Sequence, residues 1–284
     1  MRSAVFVLLG VASLATASPE LDSAIGLYEA KQFPDARLAL EKIVASEPKN
    51  AAACYYLGQT LLRRADPKSL DEAAPWLEKA TQLDPANAKF LADYGGASLL
   101  LAAKNTSVSA ATKGRDAMEK SLKLDPTSID ARIGLMQFYQ RAPWPLGSSA
   151  KAAAQLEEIR KLDPDRATVL SVTTKTAAKD YAAAFKICDE ALAKRADDYL
   201  ALYHYGRTAA LSGQNLPRGL SCLQKCAAMP EPGGPSPRHS DVWNRLGNIQ
   251  EQLAHPAEAR TAYETALKLN PANAAAAESL AKLK

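Results

Sequence analysis

Aromatic residues make up only 6 % of this 284-residue chain, and runs of β-branched residues are scarce. A β-sandwich or a parallel sheet would lack the side chains that fill its pleated faces. Three histidines occur in the whole chain, and neither a His-x-x-x-His nor a Cys-x-x-Cys spacing is present. A histidine-rich metal site is therefore not expected. His204 falls on a predicted helix, His239 beside a proline-rich linker and His255 in a turn, so all three read as surface or structural residues. An excess of one charge sign is missing too: 35 basic and 31 acidic residues leave a net charge of +4. That balance argues against nucleic acid as the partner. No nucleophile motif, glycine-rich phosphate loop or paired-carboxylate constellation stands out. Ser240 and Asp241 follow His239 directly in sequence, which is not the geometry of a catalytic triad. The chain is expected to hold no catalytic site, no cofactor and no metal.

Alanine is what the chain has in quantity, at 56 residues or about a fifth of the total. Helices are favoured accordingly. With 47 % hydrophobic and 23 % charged residues and a mean hydropathy of -0.22, the composition is that of a soluble globular protein.

The N-terminus reads as an address. Arg2 supplies the positive end, an apolar stretch runs from Ala4 to Leu14, and Ala15-Thr16-Ala17 offers small residues for cleavage before Ser18. The stretch is too short to span a bilayer, which takes about 20 residues. The first cysteine is Cys54, so no sulfur stands where a lipoprotein anchor would form. The expected products are a signal peptide, 1–17, and an exported mature chain, 18–284, in the periplasm or secreted. No later segment is apolar and long enough to insert stably in a membrane.

Prolines then mark a repeat. Pro48, Pro85, Pro126, Pro164 and Pro271 are spaced by 37, 41, 38 and 107 residues, the last being close to three units. Twelve residues before each stand Ala36, Ala73, Gly114, Ala152 and Ala259, all small. Eight before stand Leu40, Leu77, Met118, Leu156 and Tyr263, all large and apolar. Together with Ile43, Ala80, Ser121, Ile159 and Ala266 they form an i, i+4, i+7 stripe, the buried face of a helix. The small residue lets a neighbouring helix approach, and the proline stops the helix. Upstream lies a second helix carrying Leu57-Gly58, Tyr94-Gly95, Tyr205-Gly206 or Leu246-Gly247.

This pattern resembles the tetratricopeptide repeat, a helix-turn-helix unit of 34 residues. The stretch 240–273 shows it best, with Trp243, Leu246, Gly247, Ala259, Tyr263, Ala266 and Pro271 in register, and departs from it at Gln250. Seven units follow: 17–50, 51–87, 88–128, 129–164, 165–198, 199–239 and 240–273. The fifth is weak, with Val172 and Ala196 in place of the usual Gly and Pro. Residues 274–284 are expected to cap the stack. The resemblance implies an all-α, right-handed superhelical solenoid of about fifteen helices, stabilised by stacking of neighbours.

Insertions interrupt the turns within units, about three residues near 65–70, seven near 104–112 and four near 142–149. They are expected as loops along one edge. Trp144 is the one aromatic expected in such a loop, either as an exposed partner anchor or folded back on neighbouring helices. Residues 230–237 hold four prolines and two glycines and cannot be helical. Cys54, Cys188 and Cys226 occupy core positions. Export would permit a bridge from Cys188 to Cys222 or Cys226, and buried thiols are the alternative. Asn105-Thr106-Ser107 matches a glycosylation sequon.

The resemblance also implies a concave face lined by first helices. Carried over by register, its contact positions fall on Tyr55, Gln59 and Arg63, then on Ile133, Gln137 and Arg141. Further along they fall on Tyr203 and Arg207, and on Asn244, Asn248 and Gln252. Aromatic, amide and arginine side chains of this kind suit a helix or extended peptide. The peptide-carboxylate clamp of some relatives needs Lys where this chain has Asn244, so that clamp is not supported. The reading is a non-enzymatic interaction scaffold for a protein or peptide partner. The alternative is a folding or assembly factor for envelope or secreted proteins. N-terminal sequencing of the exported protein is expected to begin at Ser18; an exported chain that retains Met1 contradicts the cleavage site.

Overall fold

A computed structural model describes residues 18–64, 66, 68–143, 145–234 and 236–283. The signal peptide expected at 1–17 and Trp144, the aromatic expected in an inserted loop, lie outside the described residues. Among the described residues are fifteen α-helices and no strand. They divide into two compact units, the first ending at Ala152 and the second beginning at Ala153.

The first unit holds α1 (Pro19–Glu29), α2 (Phe33–Ser46), α3 (Ala51–Leu62), α4 (Ser69–Leu83), α5 (Ala88–Asn105), α6 (Val108–Leu124) and α7 (Ile129–Arg141). Helix α8 (Ser149–Leu162) begins in it and continues into the second. The second unit adds α9 (Pro164–Ala177), α10 (Tyr181–Lys194), α11 (Tyr199–Ser212), α12 (Leu216–Ala228), α13 (His239–Gln252), α14 (Pro256–Leu269) and α15 (Ala274–Lys282). Consecutive helices pack as antiparallel pairs, α1 with α2, α3 with α4 and α5 with α6 in the first unit, and α9 with α10, α11 with α12 and α13 with α14 in the second. First helices also lie side by side, α1 on α3 and α5 on α7 in the first unit, α9 on α11 and α11 on α13 in the second. Helix α15 covers the end of the last pair. This is an all-α solenoid of helix-turn-helix units with a terminal cap.

Short sequence signals set the helix boundaries. The proline that ends one unit stands two residues before the cap of the next helix, as in Pro48-Lys49-Asn50, Pro85-Ala86-Asn87, Pro126-Thr127-Ser128 and Pro271-Ala272-Asn273. Asn50 Oδ1 accepts from the Ala53 N–H at 3.0 Å, Asn87 Oδ1 from Phe90 at 3.1 Å and Asn273 Oδ1 from Ala276 at 3.1 Å. Each such cap is worth about 1 kcal/mol. The described residues of the proline-rich stretch after α12 are non-helical, and Tyr199 donates from its hydroxyl to the Pro237 carbonyl at 3.0 Å.

One insertion differs from the expectation. Residues 104–112 are helical except for Thr106 and Ser107. Ser107 caps α6 by accepting from the Ala110 N–H, and Thr106 adopts φ +51°, so the chain reverses within two residues. The inserted residues lengthen α5 to 18 residues and α6 to 17 instead of forming a loop.

Small residues set how closely paired helices approach. A Cβ added to Gly95 would stand 3.0 Å from the Gly114 carbonyl oxygen, and one added to Gly114 would stand 2.9 Å from that of Gly95. The α5–α6 contact is therefore backbone against backbone. Gly96, one residue on, would meet only the Met118 methyl at 4.0 Å. The four cysteines are free thiols and buried. Burial pushes the Cys188 and Cys226 thiols up to about 12, so they remain protonated at neutral pH. Gly114→Val is expected to destabilise the first unit by about 2–3 kcal/mol through overpacking. Gly96→Ala should stabilise it by about 0.5–1 kcal/mol through helix propensity. Urea midpoints at unchanged m-value measure both.

Candidate functional site

The first unit contains an open cleft of about 680 Å³. Its floor is one face of α5, with Ala92, Gly96, Leu100 and Ala103 at helical spacing. Gln59 and Leu62 of α3 form one wall, and Ile133, Gln137 and Arg141 of α7 form the other. One end is closed by Thr106, Ser107 and Val108 of the lengthened α5–α6 turn, and by Pro143 and Leu146 after α7. The two insertions that follow α5 and α7 therefore shape the cleft. Leu100 and Val108 are 59 % and 64 % exposed, although both are large and apolar.

A single carboxylate organises the polar edge of the floor. Asp93 Oδ2 accepts from Tyr55 Oη at 2.5 Å, from Lys89 Nζ at 2.9 Å and from Gln59 Nε2 at 3.0 Å. The Tyr55 ring stacks on Phe90 at 4.3 Å between centroids, with Lys89 over it. Burial first, and then the Asp93 hydrogen bond, hold the Tyr55 hydroxyl well above its usual range, so it stays a donor. This network joins α3 to α5 and fixes the rim.

The groove residues read from the sequence are placed unevenly. Gln59, Ile133, Gln137 and Arg141 come together in the cleft. Arg63 is exposed at the end of α3, its guanidinium 3.4 Å from the Tyr28 hydroxyl. Tyr55 is buried in the aromatic and carboxylate contacts just described. In the second unit Tyr203 and Asn244 are buried, and Arg207 is half-buried. Asn248 donates to the Tyr263 hydroxyl at 2.9 Å and accepts from Arg245 at 3.1 Å. Gln252 donates to the Ala210 carbonyl at 2.7 Å. Leu100, Val108, Gly96 and Asp93 were not among the expected contacts. The run Ala97–Ala103 has one polar residue in seven, which is more apolar surface than a single buried stripe needs.

Among the described residues no cluster of three or more His, Cys, Asp or Glu could hold a metal ion. No described helix is long and apolar enough to cross a membrane. The cleft offers apolar area, amides and one guanidinium, a set suited to binding a chain segment.

The tetratricopeptide repeat family matches residues 21–88 and again residues 240–273. The chain carries tetratricopeptide repeats over these two stretches, and the helix pairs between them follow the same arrangement. No curated protein matches it. Among solved structures, a tetratricopeptide repeat protein from Parabacteroides merdae is similar over 92 % of this chain and 96 % of its own, with 15 % identity and a TM-score of 0.63. Yeast Tom70 is similar at 16 % identity and a TM-score of 0.65, over 92 % of this chain but 52 % of its own. At these identities the likeness is one of fold. Proteins of this repeat family are generally non-catalytic and bind protein partners.

His204, on α11, is buried beside Asp198, and its Nδ1 has no hydrogen-bond partner among the described residues. Burial, and then the Arg207 charge, push the imidazole from 6.5 down to about 4, against the opposing pull of Asp198. The folded unit thus resists a proton that the unfolded chain accepts. Stability is complete above pH 6.5 and falls as the pH drops toward 4, by at most about 1.4 kcal/mol per pH unit from this residue. Urea titrations at stepped pH are expected to show a shallower loss over that window in His204→Leu; equal slopes in both proteins contradict the assignment.

Proposed function

We propose that this protein is an exported, non-enzymatic scaffold that holds a protein partner in the cleft of its first unit. The observation that carries the reading is an apolar cleft with two large exposed side chains, Leu100 and Val108, above a helix floor that packing does not require to be glycine at Gly96. Water-exposed leucine and valine in a concave site gain about 25 cal/mol per Å² when a partner covers them. Gln59, Gln137 and Arg141 would supply the directed hydrogen bonds, with Arg63 at the rim. In the second unit Tyr203 and Asn244 are buried and Asn248 is engaged by Tyr263 and Arg245, so the partner is assigned to the first unit alone. Export rests on the charged, apolar and small-residue segments of positions 1–17.

Affinity capture from the exported fraction tests this. Wild-type protein is compared with Gly96→Leu, which fills the floor, and with Arg207→Glu in the second unit, all three melting cooperatively. One stoichiometric partner retained by wild type and Arg207→Glu, and reduced at least tenfold by Gly96→Leu, is the expected result. Equal recovery by all three overturns the cleft assignment. A broad set of substoichiometric clients, all lost with Gly96→Leu, identifies a folding or assembly factor using the same cleft.

A further inference from the structure

The cleft has a polarity. Asp130 stands in the first turn of α7 and Arg141 in its last, and both line the cleft and are exposed. Neither has an ion-pair partner among the described residues. Asp93 on the floor is held by Lys89, Lys104 is paired with Asp71, and Arg63, at the C-terminal end of α3, adds to the positive end. Each full side-chain charge outweighs the opposing half-charge of the α7 dipole, so the free field is negative at one end of the α7 wall and positive at the other. Eleven residues of helix separate the two, about 16 Å or three turns. The small and apolar face of α5, from Ala92 to Ala103, covers the same span.

We infer that the cleft takes an amphipathic helix of about three turns, lying antiparallel to α7, with an acidic residue in its first turn against Arg141 and a basic residue in its last turn against Asp130. This rests on the cleft assignment above and adds the occupant's shape, direction and charge order. Direction follows from dipoles. An acid is favoured in the first turn of a helix and a base in the last, so the end that carries the acid is the occupant's N-terminus. Shape follows from the floor. Ala92, Gly96 and Ala103 leave room for a helix to approach α5 closely, as small residues do within the repeats. Of the helical glycines in the first unit, only Gly96 and Gly26 would place a Cβ without a close contact, and Gly26 is on α1, outside the cleft. A helix laid between α3 and α7 covers Leu100 with its apolar face and brings its charged ends to the two free side chains.

Two stapled helical peptides serve as probes. One carries Glu in its first turn and Lys eleven residues later, with alanine and leucine on one face. The other has Glu and Lys exchanged. Fluorescence anisotropy with wild-type protein is expected to favour the first by roughly tenfold, because the exchanged peptide either meets two like charges or reverses its direction and lies with its dipole parallel to that of α7. The double variant Asp130→Lys, Arg141→Glu should reverse the order, and Arg141→Glu alone should shrink the preference if the double variant melts early. Gly96→Leu should weaken both peptides.

Equal binding of the two peptides overturns the polarity, and binding of neither overturns the helical occupant. In both cases the cleft assignment survives if Gly96→Leu still releases the captured partner. It falls with the inference if that release is absent.

Discussion

Everything in this fold depends on how closely two helices of a pair approach. A single pair cannot bury its own apolar face, so each must lie against its neighbours, and small residues decide the distance. At the α5–α6 crossing the separation is set by two glycines whose missing Cβ atoms would meet the opposing carbonyl oxygens at about 3 Å. Elsewhere Ala36, Ala73 and Ala259, all fully buried, occupy the equivalent place. Once that distance is fixed, the larger side chains eight residues before each proline have a defined hole to fill. Leu40, Leu77 and Tyr263 are accordingly fully buried.

The same geometry leaves a surplus. First helices use one face against their own second helix and another against neighbouring first helices, and what remains faces outward. On α5 that remainder is apolar and includes Leu100, Ala103 and an unpressed glycine. Lengthening α5 and α6 beyond the other helices of the first unit raises an end wall at Thr106–Val108, and the chain after α7 adds Pro143 and Leu146. Thr106 holds a left-handed conformation at that wall, where a β-branched residue is strained. Strain of that kind is kept where surrounding structure enforces it, and here it sits on the rim of the cleft.

Much of this was legible in the chain itself. The proline spacing, the small residue twelve positions upstream and the apolar stripe between them located the second helices. The Pro-x-Asn and Pro-x-Ser steps are the caps that start the next unit. Residues 104–112 were less legible because an insertion in sequence need not become a loop: Ser107 caps α6 and Thr106 turns the chain, so its flanks remain helical. The groove was legible only in part. Register picked out Gln59, Gln137 and Arg141, which line one cleft, but register carries no information on burial. Tyr55 turned inward because Asp93 and Phe90 offered it a hydrogen bond and a stacking face. Leu100 went unmarked because it belongs to no consensus position, and only exposure distinguishes it from a core leucine.

Site-specific photo-crosslinking tests the central claim most directly. Leu100 on α5 and Leu38 on α2 are equally exposed, at 59 % each, but only Leu100 lines the cleft. A photoreactive side chain at Leu100 is expected to give a discrete adduct with the partner in the exported fraction, and one at Leu38 is expected to give none. An adduct at Leu38 with none at Leu100 would place the partner outside the cleft and contradict the account.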